Sequence, residues 1–243
     1  MLINKIYLYN KLRKIQLQVN LKLLNMSTKK KFAVILSGSG VFDGSEIHEA
    51  TLTLYAISKR GCSYEIFAPD IEQYHVINHI TGKEMNEKRN VLIESARIAR
   101  GNIKALSEYK PKNFDALIFP GGFGVAKNLC SFAFDGIDCK VNKEVEKIIK
   151  DTHSQNIPIG GLCISPVLLA KVLEDIIVTT GQDEATSEAI TKFGAQHEKT
   201  NHGEVIIDRK NKIATTPCYM LDASIAQIGE GAENIVDAII KLI

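Results

Sequence analysis

Short apolar runs alternate with apolar-periodic stretches along most of the chain. Phe32 to Leu36 is a continuous apolar stretch, followed by Ser37-Gly38-Ser39-Gly40 and then by an apolar-periodic segment from Glu46 to Ser58. This pattern predicts a buried strand, a glycine-bearing loop and a helix. Gly61 suits a left-handed cap after that helix, and Tyr64 to Phe67 predicts a second strand stopped at Pro69. A third strand, Ala116 to Phe119, runs into Pro120-Gly121-Gly122, and a helix is predicted over Asn142 to Gln155. The fourth strand, Ile159 to Leu162, ends at Cys163, after which Pro166 to Val172 reads as a helix with Ser165 as its N-cap. Ile176 to Thr179 reads as a strand and Ile235 to Leu242 as a carboxy-terminal helix. Val205 to Asp208 and Ile213 to Thr215 flank a polar turn as an antiparallel hairpin. Strands alternating with helices at this spacing imply right-handed crossovers and a doubly wound, mostly parallel α/β sheet with helices on both faces.

The chain has 243 residues, 45% hydrophobic and 24% charged, which fits one globular domain over residues 31–243. The net charge is +2, but residues 1–30 hold seven Lys and Arg and no acid, leaving −5 on the remainder. An acidic body without a basic stripe argues against nucleic-acid binding. No stretch is apolar enough to predict a membrane span. Five widely spaced cysteines, Cys62, Cys130, Cys139, Cys163 and Cys218, with no Cys-x-x-Cys pair, argue against a disulfide framework or a structural zinc site. The histidines likewise lack metal-ligand spacing. These features predict a cytoplasmic protein with free thiols and no metal. Residues 1–30 read as a basic extension outside the core, with Met26 an alternative start; a mitochondrial or plastid presequence is the other reading of residues 1–25.

In an open α/β sheet, ligands bind beyond the carboxyl ends of the strands. Cys163 stands there, between a glycine-bearing strand and a new helix, in the position of a nucleophile elbow. The helix N-terminus should lower its pKa. A small buried residue ending a strand is the alternative reading. The glycines of Pro120-Gly121-Gly122-Phe123-Gly124 let backbone N–H groups approach a ligand, and the Ile164 N–H could complete an oxyanion hole. Glu46 and Glu49 share the amino-terminal face of the first helix, with Asp43 and His48 nearby. Glu49 lies deeper and could share a proton with the thiol as a desolvated carboxyl of raised pKa. His202-Gly203-Glu204 offers a less favoured base.

With the Ser37–Glu49 strand-loop-helix, the Pro-Gly-Gly-Phe-Gly loop and the Cys163 elbow, the chain resembles the isoprenoid-biosynthesis glyoxalase ElbB group. This group lies in the PfpI branch of the class I glutamine-amidotransferase-like superfamily. The resemblance runs from about Lys31 to the carboxy terminus and leaves out residues 1–25. It implies a flavodoxin-like fold, a homodimer, no cofactor, and slow conversion of glyoxal or similar small dicarbonyls to hydroxy acids. It also implies Cys163 as nucleophile, Glu49 as its carboxyl partner, Gly122 and Ile164 as oxyanion donors and Asn128 near the same loop; Gly121 and Glu46 are further candidates for oxyanion or substrate binding. Ile164 replaces the histidine that follows the cysteine in peptidase-like relatives, which argues against peptidase activity. His202 follows Cys163 too closely for the amidotransferase His-x-Glu layout, which argues against glutamine hydrolysis. A non-catalytic redox sensor using an oxidisable Cys163 is the alternative function.

Overall fold

The computed structural model describes residues 29–243 and the single position Arg13; the rest of the basic extension lies outside the described residues. Residues 31–243 form one compact unit. Strands β1 (Lys31–Ile35), β2 (Ser63–Ala68), β3 (Lys104–Ala105), β4 (Ala116–Phe119) and β5 (Ile159–Leu162) build most of one sheet. β8 (Ile206–Asp208) and β9 (Ile213–Thr216) complete it in the order β3-β2-β1-β4-β5-β9-β8. Every pairing is parallel except β8 with β9. The helices of eight or more residues are α1 (Ile47–Lys59), α2 (Val91–Ile98), α3 (Lys143–Ser154), α4 (Ser165–Leu173), α5 (Glu184–Lys192) and α6 (Ile225–Leu242).

Successive residues of a strand point to opposite faces, and both faces here are apolar. Ala33, Ile35, Leu117, Phe119 and Ile159 pack with Val145 and Ile149 of α3 and Ile190 of α5. Phe32, Val34, Leu36, Ile118 and Ala214 pack on the other side with Ala56 and Ile57 of α1 and Ile235 and Ile239 of α6. Two buried faces explain why the strands read as unbroken apolar runs. Arg60, just after α1, forks onto Asp237 of α6 with two 2.7 Å bonds, so the helix that carries Glu49 is clamped to its neighbour.

Two predicted elements differ from the structure, and a third is present but placed inside the sheet. Ile177–Val178 (β6) lies outside the main sheet and pairs in parallel with Gln196–His197 (β7), to which it is joined through α5. The carboxy-terminal helix begins at Ile225, where Ser224 and Gln227 form a capping box upstream of the strongly apolar part. The Val205–Thr215 hairpin exists as β8 and β9, but β9 also pairs in parallel with β5 and so lies inside the sheet. Among the described residues, no helix is long and apolar enough to cross a membrane.

Candidate active site

The strand order turns between β1 and β4, so the loops leaving these two strands diverge and open a crevice beyond their carboxyl ends. Cys163 enters it from β5. The two glycines before it leave room for helices packed on both sides of that strand. A Cβ at Gly160 would lie 2.5 Å from Ile239 Cδ1 of α6, and one at Gly161 would lie 3.1 Å from Leu169 Cδ1 of α4. The chain then turns sharply at Cys163, whose φ of 60° is left-handed. For a residue with a Cβ this backbone costs about 1–3 kcal/mol and persists only where the surroundings hold it. They do so here through the Cys163 N–H, which donates to Thr216 O at 2.9 Å. The Ser165 hydroxyl also donates to Pro120 O at 3.0 Å. That second bond corrects the predicted N-cap. Ile164 occupies the cap position without a side-chain bond, and Ser165 is the first helical residue, its hydroxyl spent on the neighbouring loop.

The β4 loop lies against the thiol at the closest possible range. A Cβ at Gly121 would fall 2.3 Å from Cys163 Cβ and 2.5 Å from Glu49 Oε2, so only glycine fits. Gly121 O accepts from Glu46 N at 2.9 Å, and Gly121 N donates to Glu49 Oε2 at 3.0 Å. Gly121 therefore positions the carboxyl. The N–H groups of Gly122 and Ile164 are the ones that face the Cys163 sulfur. Gly122 has φ of 101°, and a Cβ there would strike Glu46 N at 2.3 Å.

Glu49 is fully buried. Its carboxyl accepts from Gly121 N and from Tyr219 N, the latter at 3.2 Å, and is hydrogen-bonded to the Cys163 thiol. Burial and the neighbouring Glu46 push its pKa up to about 8, so the carboxyl holds a proton at neutral pH. Burial, followed by the charge Glu49 would carry when ionised, also pushes the Cys163 thiol up. This reverses the lowering expected from the helix terminus. Desolvation outweighs the two N–H donors, and the resting pair is neutral.

Glu46 is the N-cap of α1: its Oε2 accepts from Glu49 N at 2.7 Å, and its side chain also borders the pocket. Asn128 is the sequence candidate that the fold removes from the site. Its Nδ2 donates to Ser37 O and Asp43 O, both at 2.9 Å, while its Oδ1 accepts from Tyr74 N at 2.9 Å. Those three bonds staple loops together behind the crevice. Asp43 is likewise buried, with Oδ2 accepting from Ile77 N at 2.6 Å. His202 does not line the pocket; the adjacent Gly203 carbonyl accepts from Asn234 of α6.

The crevice is a pocket of about 430 Å³ with Cys163 at its floor and Phe123, Phe132, Ile164, Tyr219 and Met220 along its walls. Tyr219 was not legible as a site residue, although it supplies an N–H to Glu49 and its hydroxyl meets His48 Nδ1 at 2.8 Å. The usable signal was its place just past a strand end. That signal counts only once β9 is known to lie beside β5. All five cysteines are free and buried, and no cluster of three His, Cys, Asp or Glu suited to a metal occurs among the described residues.

No profile of a known protein family matches the chain. It is 48% identical over 222 residues to the human "Glutamine amidotransferase-like class 1 domain-containing protein 3, mitochondrial", covering 87% of this chain and 83% of the relative. It is 46% identical over 224 residues to the rat "ES1 protein homolog, mitochondrial", covering 88% and 84%. Among solved structures, an isoprenoid biosynthesis protein with an amidotransferase-like domain from Ehrlichia chaffeensis superposes with a TM-score of 0.82 at 33% identity, covering 88% of this chain and 99% of that one. The fold is thus the flavodoxin-like, amidotransferase-like α/β fold, and the chain belongs to the ES1 family of glutamine amidotransferase-like class 1 domain proteins.

Proposed function

We propose that the chain is a slow, cofactor-independent glyoxalase-like enzyme that converts glyoxal or a related small dicarbonyl to a hydroxy acid. The observation that carries this reading is the buried Cys163–Glu49 pair, joined by a hydrogen bond beneath the Gly122 and Ile164 N–H groups. The ElbB-type assignment is part of the same proposal, and the 33% identity to the Ehrlichia isoprenoid biosynthesis protein supports it.

The Cys163 sulfur adds to an aldehyde carbon, forming a hemithioacetal whose oxygen lies against the two N–H donors. Glu49, in its ionised form, takes the proton from that carbon and returns it to the adjacent carbonyl carbon. The product of this shift is a thioester of the hydroxy acid. Water cleaves the thioester, releasing the acid and restoring the thiol. Consumption of one dicarbonyl and one water gives one hydroxy acid, with no net oxidation. Both site groups hold protons at neutral pH and no histidine assists them, so turnover is slow.

Purified protein should consume glyoxal and form glycolate, and Cys163→Ser and Glu49→Gln should each lose at least about a hundredfold in rate, the scale of a general acid–base contribution. An inert wild type, or variants that match it, would remove the enzyme reading. The upward push on the Cys163 thiol weighs against a resting thiolate there, and so against a redox sensor built on that residue.

Residues 1–25 are proposed as an organellar address in place of the cytoplasmic reading. The acid-free basic composition and the mitochondrial names of the relatives support this. Native protein from a mitochondrial fraction should begin near Met26 by intact mass, whereas full-length cytosolic protein would overturn the assignment. A homodimer of this 26.9 kDa chain is proposed as well, to be read from sedimentation mass.

A further inference from the structure

The segment that leaves the oxyanion loop carries a second pair of sulfurs. After the π-helical turn Val125–Leu129, Cys130 pairs with Val141 in an isolated antiparallel bridge. Ser131 N donates to Lys140 O at 2.9 Å, Lys140 N donates to Ser131 Oγ at 2.9 Å, and Asn142 N donates to Leu129 O at 2.8 Å. These bonds cinch the neck of a loop, and the two thiols at that neck, Cys130 and Cys139, are hydrogen-bonded to each other. Cys130 Sγ also reaches Val125 O at 3.3 Å.

Lys171 of α4 extends over the same loop, its Nζ donating to Ile137 O at 3.0 Å. The hydrogen bond from Cys130, with help from the Lys171 charge, lowers Cys139 to about 7. The same bond, together with burial, pushes Cys130 up. Cys139 is therefore the thiol readiest to ionise near neutral pH, and Cys130 is the thiol that favours its ionised form. An ionisable thiol with a resolving partner is the arrangement redox chemistry requires.

We propose that Cys130 and Cys139 form a redox-active dithiol that a peroxide converts to a disulfide across the neck of this loop. The Cys139 thiolate attacks a peroxide oxygen. The S–O bond forms, the O–O bond breaks, and the departing hydroxide takes up a proton as water. The Cys130 sulfur then attacks the Cys139 sulfenic sulfur. The S–S bond forms, the S–O bond breaks, and hydroxide leaves with the Cys130 proton as a second water. Two thiols lose two electrons and one hydrogen peroxide is reduced to two waters. Phe132 and Ala133, inside the loop, line the Cys163 pocket, so the bond would tether one wall of that pocket without using its chemistry.

The tryptic peptide Asn128–Lys140 contains both cysteines and no other, so the reaction is read directly by mass. Full-length protein is treated with equimolar hydrogen peroxide, quenched with iodoacetamide and mapped without reductant. The peptide should lose two hydrogens, escape alkylation and recover on treatment with dithiothreitol, and Cys163→Ser should behave identically. Cys139→Ser should leave Cys130 open to alkylation; if that variant does not fold, the wild-type map decides alone. Oxidation of Cys163 while Cys130 and Cys139 both remain alkylatable would overturn the proposal. So would gain of two oxygens at Cys139 with no crosslink.

Discussion

Glu49→Gln should flatten the dependence of stability on pH. In the folded chain the carboxyl keeps its proton up to about 8, because it is buried beside Glu46. In the unfolded chain it releases that proton near the ordinary glutamate value of 4.5. Between those values the folded state holds one proton more than the unfolded state, so stability falls as pH rises. The contribution is complete below 4.5 and gone once pH passes the folded value. Each pH unit in this window costs about 1.4 kcal/mol, so the rise from about pH 5.5 to 7.5 removes about 3 kcal/mol from the wild type. Glutamine does not titrate and lacks that component. Its amide must also meet Gly121 N–H or Tyr219 N–H with an N–H of its own, which costs about 1–3 kcal/mol at every pH. The slope, not the absolute stability, is therefore the quantity to compare. Urea unfolding at several pH values, for wild type and Glu49→Gln side by side, separates this group from the other titrating groups. Parallel curves would mean that Glu49 is ionised in the folded protein and that the resting Cys163–Glu49 pair is not neutral.

The same protonation state governs catalysis. Because one proton must leave the Cys163–Glu49 pair before Glu49 can act as a base, the rate of glyoxal consumption should climb with pH and level off past about 8. A pH–rate profile that is flat from neutral upward would contradict the assigned role. Gly121→Ala should destabilise the protein by about 1–3 kcal/mol and slow alkylation of Cys163. The reason is that the new methyl would stand 2.3 Å from Cys163 Cβ and 2.5 Å from Glu49 Oε2. Urea unfolding and a timed iodoacetamide reaction measure both, and an unperturbed variant would show that the loop has room to retreat.

Local patterning determined the parts of this protein that depend on neighbours in sequence. The unbroken apolar runs at Phe32, Ala116 and Ile159 mark strands covered on both faces, and the glycine-bearing turn into Pro166 marks the elbow. Cys163, Glu49, Gly122 and Ile164 were therefore legible from the chain, since each follows from a strand end or a helix start. What depends on distant segments was not legible. Asn128 looked like a site residue because it follows the glycine loop, and only the fold shows its amide spent on Ser37, Asp43 and Tyr74. Tyr219 reaches Glu49 across 170 positions, because β9 inserts beside β5, a pairing that no local pattern encodes. The charge state of the site was decided the same way. A helix N-terminus can be read from sequence and favours a thiolate. Burial cannot, because it is the sum of every element packed around Cys163, and here it is the larger effect.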